Sequence, residues 1–282
     1  MRIFLFALFA LFSCTSSPER SRLAICAIFK NEAPWLKEWI AYHANVLGVS
    51  HFYLYNDKSE DNYLEVLEPY IEVGLVEVID WDSSDPAHIL PGGNPGDGPW
   101  IPAQIGAYNE CLKTRALGKE QWVAMIDIDE FIVPAKGVPS FYALLKQAEK
   151  SNKGSVSLKW HIFGTSNVKE LGEKELLTER LTWRARDDHP WHELVKSIHR
   201  PEAVEKCLVH IAIELKPGFG ARTLKPEQAS IHHYWTRTEN FCKEKRKNLI
   251  ECEPDLLEAL HQVEDQTIFQ YLPALGLARD VE

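Results

Sequence analysis

The chain has no Cys-x-x-Cys pair, no Gly-Lys-Ser/Thr phosphate loop, and no apolar run as long as the roughly 20 residues that a membrane-spanning helix takes. It is also short of basic residues, with 31 lysines and arginines against 41 aspartates and glutamates, a formal charge of −10. Each shortage excludes something. Five of the six cysteines lie beyond residue 20, and this odd count without a paired spacing indicates neither a zinc ribbon nor a dense disulfide framework. The nearest approaches to a phosphate loop, "LGKEQ" and "NKGSV", do not match one, which argues against an NTPase. The acidic balance repels a phosphate backbone, so nucleic acid is not an expected partner. No internal repeat or low-complexity linker divides the sequence. One main globular domain is therefore expected, with 45% hydrophobic residues to fill its core.

Residues 1–20, "MRIFLFALFALFSCTSSPER", read as a signal peptide or, through "LFSC" and Cys14, as a lipoprotein or membrane anchor. On that reading the chain is expected to be exported or membrane-associated. The folded domain is expected over 21–250, followed by a C-terminal helical extension over 251–282, where "LIECEPDLLEALHQV" has helical periodicity. Cys26 and Cys111 fall in apolar patterns and are expected to fill the core.

From residue 22 the pattern becomes regular. "LAICAIF" is a short continuous apolar run of the kind buried on both faces of a sheet. Pro34 suits a first helical turn, apolar residues recur at three- and four-residue steps, and Gly48 suits the stop, which predicts a helix over about 34–47. "HFYLYN", a helix closed at Gly74, and "LVEVI" complete a strand–helix–strand–helix–strand series. The expected fold is α/β with a mostly parallel sheet, in which ligands collect beyond the carboxyl ends of the strands. At those ends stand Lys30, Asn31 and Glu32, then Asn56, Asp57 and Asp61. Asp61 reads as a helix cap, whereas Asp57 suits either a turn or a contact to ribose or base. The segment "SSDPAHILPGGNPGDGPWIP" lacks periodicity and is long enough to be a lid over a cleft.

The fourth strand, "WVAMIDIDEFIVP", ends in Asp127, Asp129 and Glu130. Strand alternation predicts Asp127 and Asp129 on one side, with Ile128 and Glu130 on the other. Two neighbouring carboxylates repel, and a hard cation such as Mg²⁺ or Mn²⁺ relieves that cost while keeping positions for phosphate oxygens. A solvated turn is the alternative, disfavoured by the apolar sequence on both sides.

The segments "AIFKNEAPWLKEWIAYHANVLGVSHFYLYNDKSED", "QIGAYNEC", "WVAMIDIDEFIVP", "WHIFGTS" and "IHHYWTRTENFCKEK" occur in this order through most of residues 23–247. They resemble the serial motifs of glycosyltransferase family 92, formerly the DUF23 group, and of related family-2-like transferases. The resemblance implies a GT-A fold, Rossmann-like with helices on both faces. It implies transfer of a sugar, galactose among the candidates, from a UDP-sugar to a glycan or other hydroxyl acceptor with inversion. Residue by residue, it gives Asp127 and Asp129 the Asp-x-Asp role, Asp127 reaching ribose or metal and Asp129 the ion at the diphosphate. It places Asn31, Glu32 and Asp57 facing the nucleotide, and Trp160, His161, Phe163 and Gly164 around the sugar or acceptor, although the aromatic pair also suits a core. Of the adjacent histidines only one can face the metal, and the His-Tyr match selects His233. In "CKEKRKN", Lys243, Lys245 or Arg246 either neutralises diphosphate oxygens or belongs to a solvated face. The base expected to take the acceptor proton is sought after the Asp-x-Asp motif, among Asp187, Asp188 and Glu193, with Asp188 favoured. Lys196 reads equally as a donor contact or a surface residue. Because nucleotide sugars are cytosolic, a cytosolic face for an anchored chain stays open. A noncatalytic nucleotide- or glycan-binding protein and a two-carboxylate glycoside hydrolase are the competing classes.

Overall fold

Strand β1 (Leu23–Phe29) shows how the chain commits to two cores at once. All seven side chains are buried, with Leu23, Ile25, Ala27 and Phe29 in one apolar layer and Ala24, Cys26 and Ile28 in the other. A strand without a polar face can only sit inside a sheet covered on both sides. The computed structural model describes residues 22–92, 98, 100–138, 140–245 and 252–277. The leader with Cys14, Arg246 and the side chain of Lys245 lie outside the described residues, as does part of the proline- and glycine-rich segment.

Helix α1 (Ala33–Leu47), β2 (His51–Asp57), α2 (Tyr63–Glu72) and β3 (Val76–Trp81) follow as the alternation predicts. Helix α3 (Trp100–Glu110) continues through a π-turn into β4 (Trp122–Met125), and β5 (Glu130–Pro134) comes after a short turn. Next are α4 (Phe141–Lys150), β6 (Lys153–Ile162), α5 (Leu177–Arg180), β7 (Trp183–Arg184), β8 (Val195–His199) and β9 (Val204–Cys207). The chain then forms β10 (Ala212–Leu215), β11 (Gly220–Thr223), β12 (Ala229–His233), α6 (Glu239–Lys245), α7 (Pro254–Ala259) and β13 (Val263–Glu264).

The main sheet runs β3-β2-β1-β4-β8-β6-β12-β5, with β11 paired to β6. Its first four strands are mutually parallel. Beyond them β8 runs antiparallel to both neighbours, β12 is parallel to β6, and β5 is antiparallel to β12. The α/β reading therefore holds, with a Rossmann-like parallel half joined to a mixed half. Helices α1, α2 and α4 pack on one face, and α3 with the β9–β10 hairpin packs on the other.

"WVAMIDIDEFIVP" is two strands, so Asp127 and Asp129 stand on a turn and strand alternation does not set their directions. The turn closes because the Glu130 N–H donates to the Asp127 carbonyl at 3.1 Å, while Glu130 Oε2 accepts from the Asp127 N–H at 2.8 Å. After the turn the chain pairs with β12 and leaves the β1–β4 ladder.

The C-terminal segment also differs from a single helix. After α7, β13 pairs with β7, and a 3₁₀ run over Thr267–Leu275 returns to α1, placing Ile268, Leu272 and Leu275 in the main core. A disulfide joins Cys242 to Cys252, a pairing that the cysteine spacing did not indicate. Cys26, Cys111 and Cys207 are free and buried, as expected of the first two.

Candidate functional site

A cleft of about 530 Å³ opens at the carboxyl ends of β1 and β4. Lys30, Asn31 and Glu32 enter it from the β1–α1 junction, and Asp127, Ile128 and Asp129 enter from the β4–β5 turn. Trp160 on β6, His233 on β12, and Trp235 and Arg237 just beyond β12 close the opposite side. A second groove, about 480 Å³ between the start of α1 and residues 170–176, lacks the acid turn.

Asp127 is held by three donors. Its Oδ1 accepts from Gln104 Nε2 at 2.6 Å and Tyr108 OH at 3.2 Å, and its Oδ2 from Lys196 Nζ at 2.8 Å. Lys196 is 1% exposed and also lies 3.4 Å from Glu130 Oε2. Burial alone would lower the lysine pKa, but the charges of Asp127, Glu130 and Asp129 outweigh it and raise the pKa. Glu130 is completely buried behind the turn, where loss of solvation pushes its carboxyl up to about 7 against the opposing pull of Lys196. Tyr108 is likewise pushed well above its ordinary value, first by burial and then by Asp127.

Asp129 and His233 form the other half. Asp129 is 5% and His233 4% exposed, and His233 Nε2 lies 3.5 Å from Asp129 Oδ1. Neither ring nitrogen of His233 has a hydrogen-bond partner among the described residues. Its Nδ1 stands 3.8 Å from Glu130 Oε1, so the ring faces a carboxylate on each side, and a buried imidazole without a hydrogen bond is costly unless something else meets it. Cis ligands of an octahedral ion at about 2.1 Å stand about 3 Å apart, so this pair suits a divalent cation after a small adjustment. With three donors already on it, Asp127 is the poorer ligand.

Arg237 also lines the cleft, a position that no motif in the sequence singled out. It takes a left-handed backbone, φ 51°, and its guanidinium is buried between Trp35 and Phe241, 4.9 and 4.6 Å from the ring centroids. It forms an ion pair with Glu32 at 2.6 Å and comes within 3.9 Å of Asp129. Asn31, also left-handed at φ 57°, accepts the Glu60 N–H on its Oδ1 at 2.7 Å and donates its own N–H to Ser59 Oγ at 2.9 Å, joining the ends of β1 and β2.

The other candidates separate. Trp160 lines the cleft, 4.4 Å from His233 by ring centroids. His161 does not, because its neighbour on the strand already faces the cleft; it stands instead near His192, His232 and Asp265. Phe163 is a core residue against His232 and Tyr234. Gly164 is where His261 crosses, and a Cβ there would stand 2.4 Å from that ring. Asp57 is buried and accepts the Ser83 N–H at 2.8 Å, which makes it turn chemistry outside the cleft. Asp188 pairs with Arg186 at 2.7 Å and Glu193 with Lys159 at 2.7 Å, both away from the cleft, so neither is placed as its base. Asp187 pairs with Arg184, and Lys243 is exposed beside Glu239.

Three comparisons bear on this arrangement. The sequence pattern of glycosyltransferase family 92 matches residues 21–269. Family 92 proteins of Ricinus communis and Arabidopsis thaliana are each 28% identical, over 79% and 76% of this chain, respectively. The matched regions are 37% and 35% of those relatives, so the chain spans little more than a third of their length. Among solved structures, TarS 1–349 of S. aureus shows 13% identity and a TM-score of 0.43, covering 78% of this chain and 62% of that one. A mannosyltransferase of Pyrobaculum calidifontis, solved with GDP-Man and Mn²⁺, shows 14% identity and a TM-score of 0.42, covering 91% and 73%.

Proposed function

The chain belongs to glycosyltransferase family 92, and from that premise we propose that the cleft binds a UDP-sugar and passes its glycosyl group, galactose being one candidate, to a hydroxyl of a glycan or similar acceptor with inversion. Asp129 and His233 would hold Mn²⁺ or Mg²⁺. Such an ion, when bound, supplies Lewis-acid stabilisation to the departing diphosphate. The protein's own groups do the rest. Gln104, Tyr108 and Lys196 fix the Asp127 carboxylate so that it meets a donor hydroxyl without reorganising. Arg237 and Lys30 bring positive charge to a cleft that is otherwise acidic. Trp100, Trp160 and Trp235 offer flat faces to base and sugar. Glu32, Asp127 and Asp129 are the lining carboxylates among the described residues, so proton acceptance from the acceptor falls to this set. The leader and the Cys242–Cys252 disulfide support an exported or membrane-associated chain, since disulfides persist in oxidising compartments.

The observation that carries this reading is the buried His233 imidazole, which has no hydrogen-bond partner among the described residues and stands 3.5 Å from Asp129 and 3.8 Å from Glu130. Asp129→Asn is expected to keep the far-UV circular dichroism and to lose Mn²⁺-dependent donor turnover by about 10²–10³-fold, the scale of removing one electrostatic stabiliser. Undiminished turnover overturns the assignment. Glycoside cleavage without nucleotide would favour the hydrolase, and donor binding without turnover the noncatalytic scaffold.

A further inference from the structure

On the other face of the mixed half-sheet lies a second set of ligand-type side chains. In the β6–β12 register His161 stands opposite His232, one residue on from Trp160 and one before His233. Alternation along each strand therefore sends Trp160 and His233 into the cleft and the His161 and His232 pair away from it. The C-terminal segment crosses that face and adds Asp265 immediately after β13. One ligand atom from each of His161, His232 and Asp265 lies within 4.8 Å of the other two.

We propose that His161, His232 and Asp265 form a second divalent-cation site, of the zinc class, that fastens the C-terminal segment to β6 and β12. His232 is 1% exposed, and its Nδ1 has no hydrogen-bond partner among the described residues. His161 Nδ1 is 3.9 Å from Asp265 Oδ2 and has a long 3.5 Å approach to Ser230 Oγ. Two imidazoles and one carboxylate are a zinc donor set, and tetrahedral ligands at about 2.0–2.1 Å stand roughly 3.3 Å apart. Side-chain rotations of about an ångström close the gap.

Asp265 has the capacity to serve. Its Oδ1 accepts the Thr267 N–H at 2.9 Å and its Oδ2 accepts Arg184 Nε at 2.7 Å, so one lone pair of Oδ2 remains. Arg184 is the obvious objection, a buried cation beside a cation site. Its charge is already met twice, by Asp265 and by Asp187 at 2.7 Å, which leaves the cluster with an excess of one negative charge. His192 is not the fourth ligand. Its Nε2 accepts the Ile162 N–H at 3.0 Å, which fixes the proton on Nδ1 and makes that nitrogen a donor. A water completes the coordination.

Cobalt tests this without reference to activity. The full chain carrying Asp129→Asn, stripped with chelator, is titrated with Co²⁺ and followed by the visible absorption of a tetrahedral ion. One equivalent is expected to bind with that spectrum, and Zn²⁺ is expected to displace it and raise the Tm. Adding His161→Gln is expected to weaken binding by more than about 100-fold, beyond the usual cost of losing a supporting residue. If that variant does not fold, Asp265→Asn replaces it at nearly constant shape. Absence of the spectrum, its persistence in both ligand variants, or an unchanged Tm with Zn²⁺ overturns the proposal. Because the Asp129→Asn background disables the cleft pair, loss of this second site leaves the reading of the cleft untouched.

Discussion

Lys196 and Arg237 are cations in places where burial disfavours charge, and both are kept by carboxylates of the acid turn or its neighbours. Lys196 spans Asp127 and Glu130, and Arg237 spans Glu32 and Asp129. Removing one partner of such a buried pair is more damaging than never having had the pair, since the remaining charge is stranded. Lys196→Met is therefore expected to cost about 3–5 kcal/mol in chemical denaturation, with most activity lost. Asp127→Asn in the same chain should recover part of it, a coupling of roughly 0.5–3 kcal/mol for residues in direct contact. Strict additivity of the two substitutions would show that Lys196 is not held by Asp127.

At the scale of elements, the cleft depends on how the loops at the carboxyl ends are held. Gly106 on α3 meets the segment at Pro86–His88, where a Cβ would stand 1.9 Å from the His88 carbonyl oxygen. His88 in turn stacks on Trp81, centroids 3.9 Å apart. Gly106→Ala must push the two backbones apart, at a cost of about 1–3 kcal/mol. Gln104, two residues away on α3, donates to Asp127, so the displacement is expected to raise the donor KM as well. Urea unfolding and steady-state kinetics on this variant check both effects, and no change in either would mean that the segment yields freely.

Much of this element order was legible in the sequence because it is written in local periodicity: seven apolar residues for β1, and three- and four-residue steps for α1. The β4–β5 break was not, because Phe131 to Pro134 is as apolar as the strand before it, and only the pairing with β12, about a hundred residues later, distinguishes a new strand from a continuation. Of the site, Glu32, Asp127, Asp129, Trp160 and His233 stand at strand ends or in the serial motifs, and the structure brings them together in the cleft. Asp188 and Glu193 follow the acid motif in sequence, but chain order says nothing about which side of a sheet a loop reaches. Arg237 had no local signal either: its partners Glu32, Trp35 and Phe241 come from opposite ends of the chain.

For the whole molecule, the buried imidazoles set the response to acid. His43 and His199 are both 0% exposed, and burial lowers each pKa to about 3. His43 Nδ1 lies 2.8 Å from the Trp39 carbonyl and its Nε2 accepts from the Ile132 N–H at 3.3 Å, which leaves no place for a second proton. Both nitrogens of His199 are without partners among the described residues. In the unfolded chain each ring binds a proton near pH 6.5, so between about pH 6.5 and 3 the unfolded state carries more protons than the folded one. Stability contributed by neutral burial is thus complete above about pH 6.5 and is lost as the pH falls towards 3. At one proton each, the two rings give a slope of up to about 2.7 kcal/mol per pH unit in the middle of that range. Urea midpoints measured in chelator at pH 7, 6 and 5 should fall with increasing steepness. His43→Gln, which keeps a donor and an acceptor but does not titrate, should flatten the profile by about half of that slope. A midpoint independent of pH across this range would mean that these rings are solvated in the folded chain and that the sheet is less tightly covered than its buried strands require.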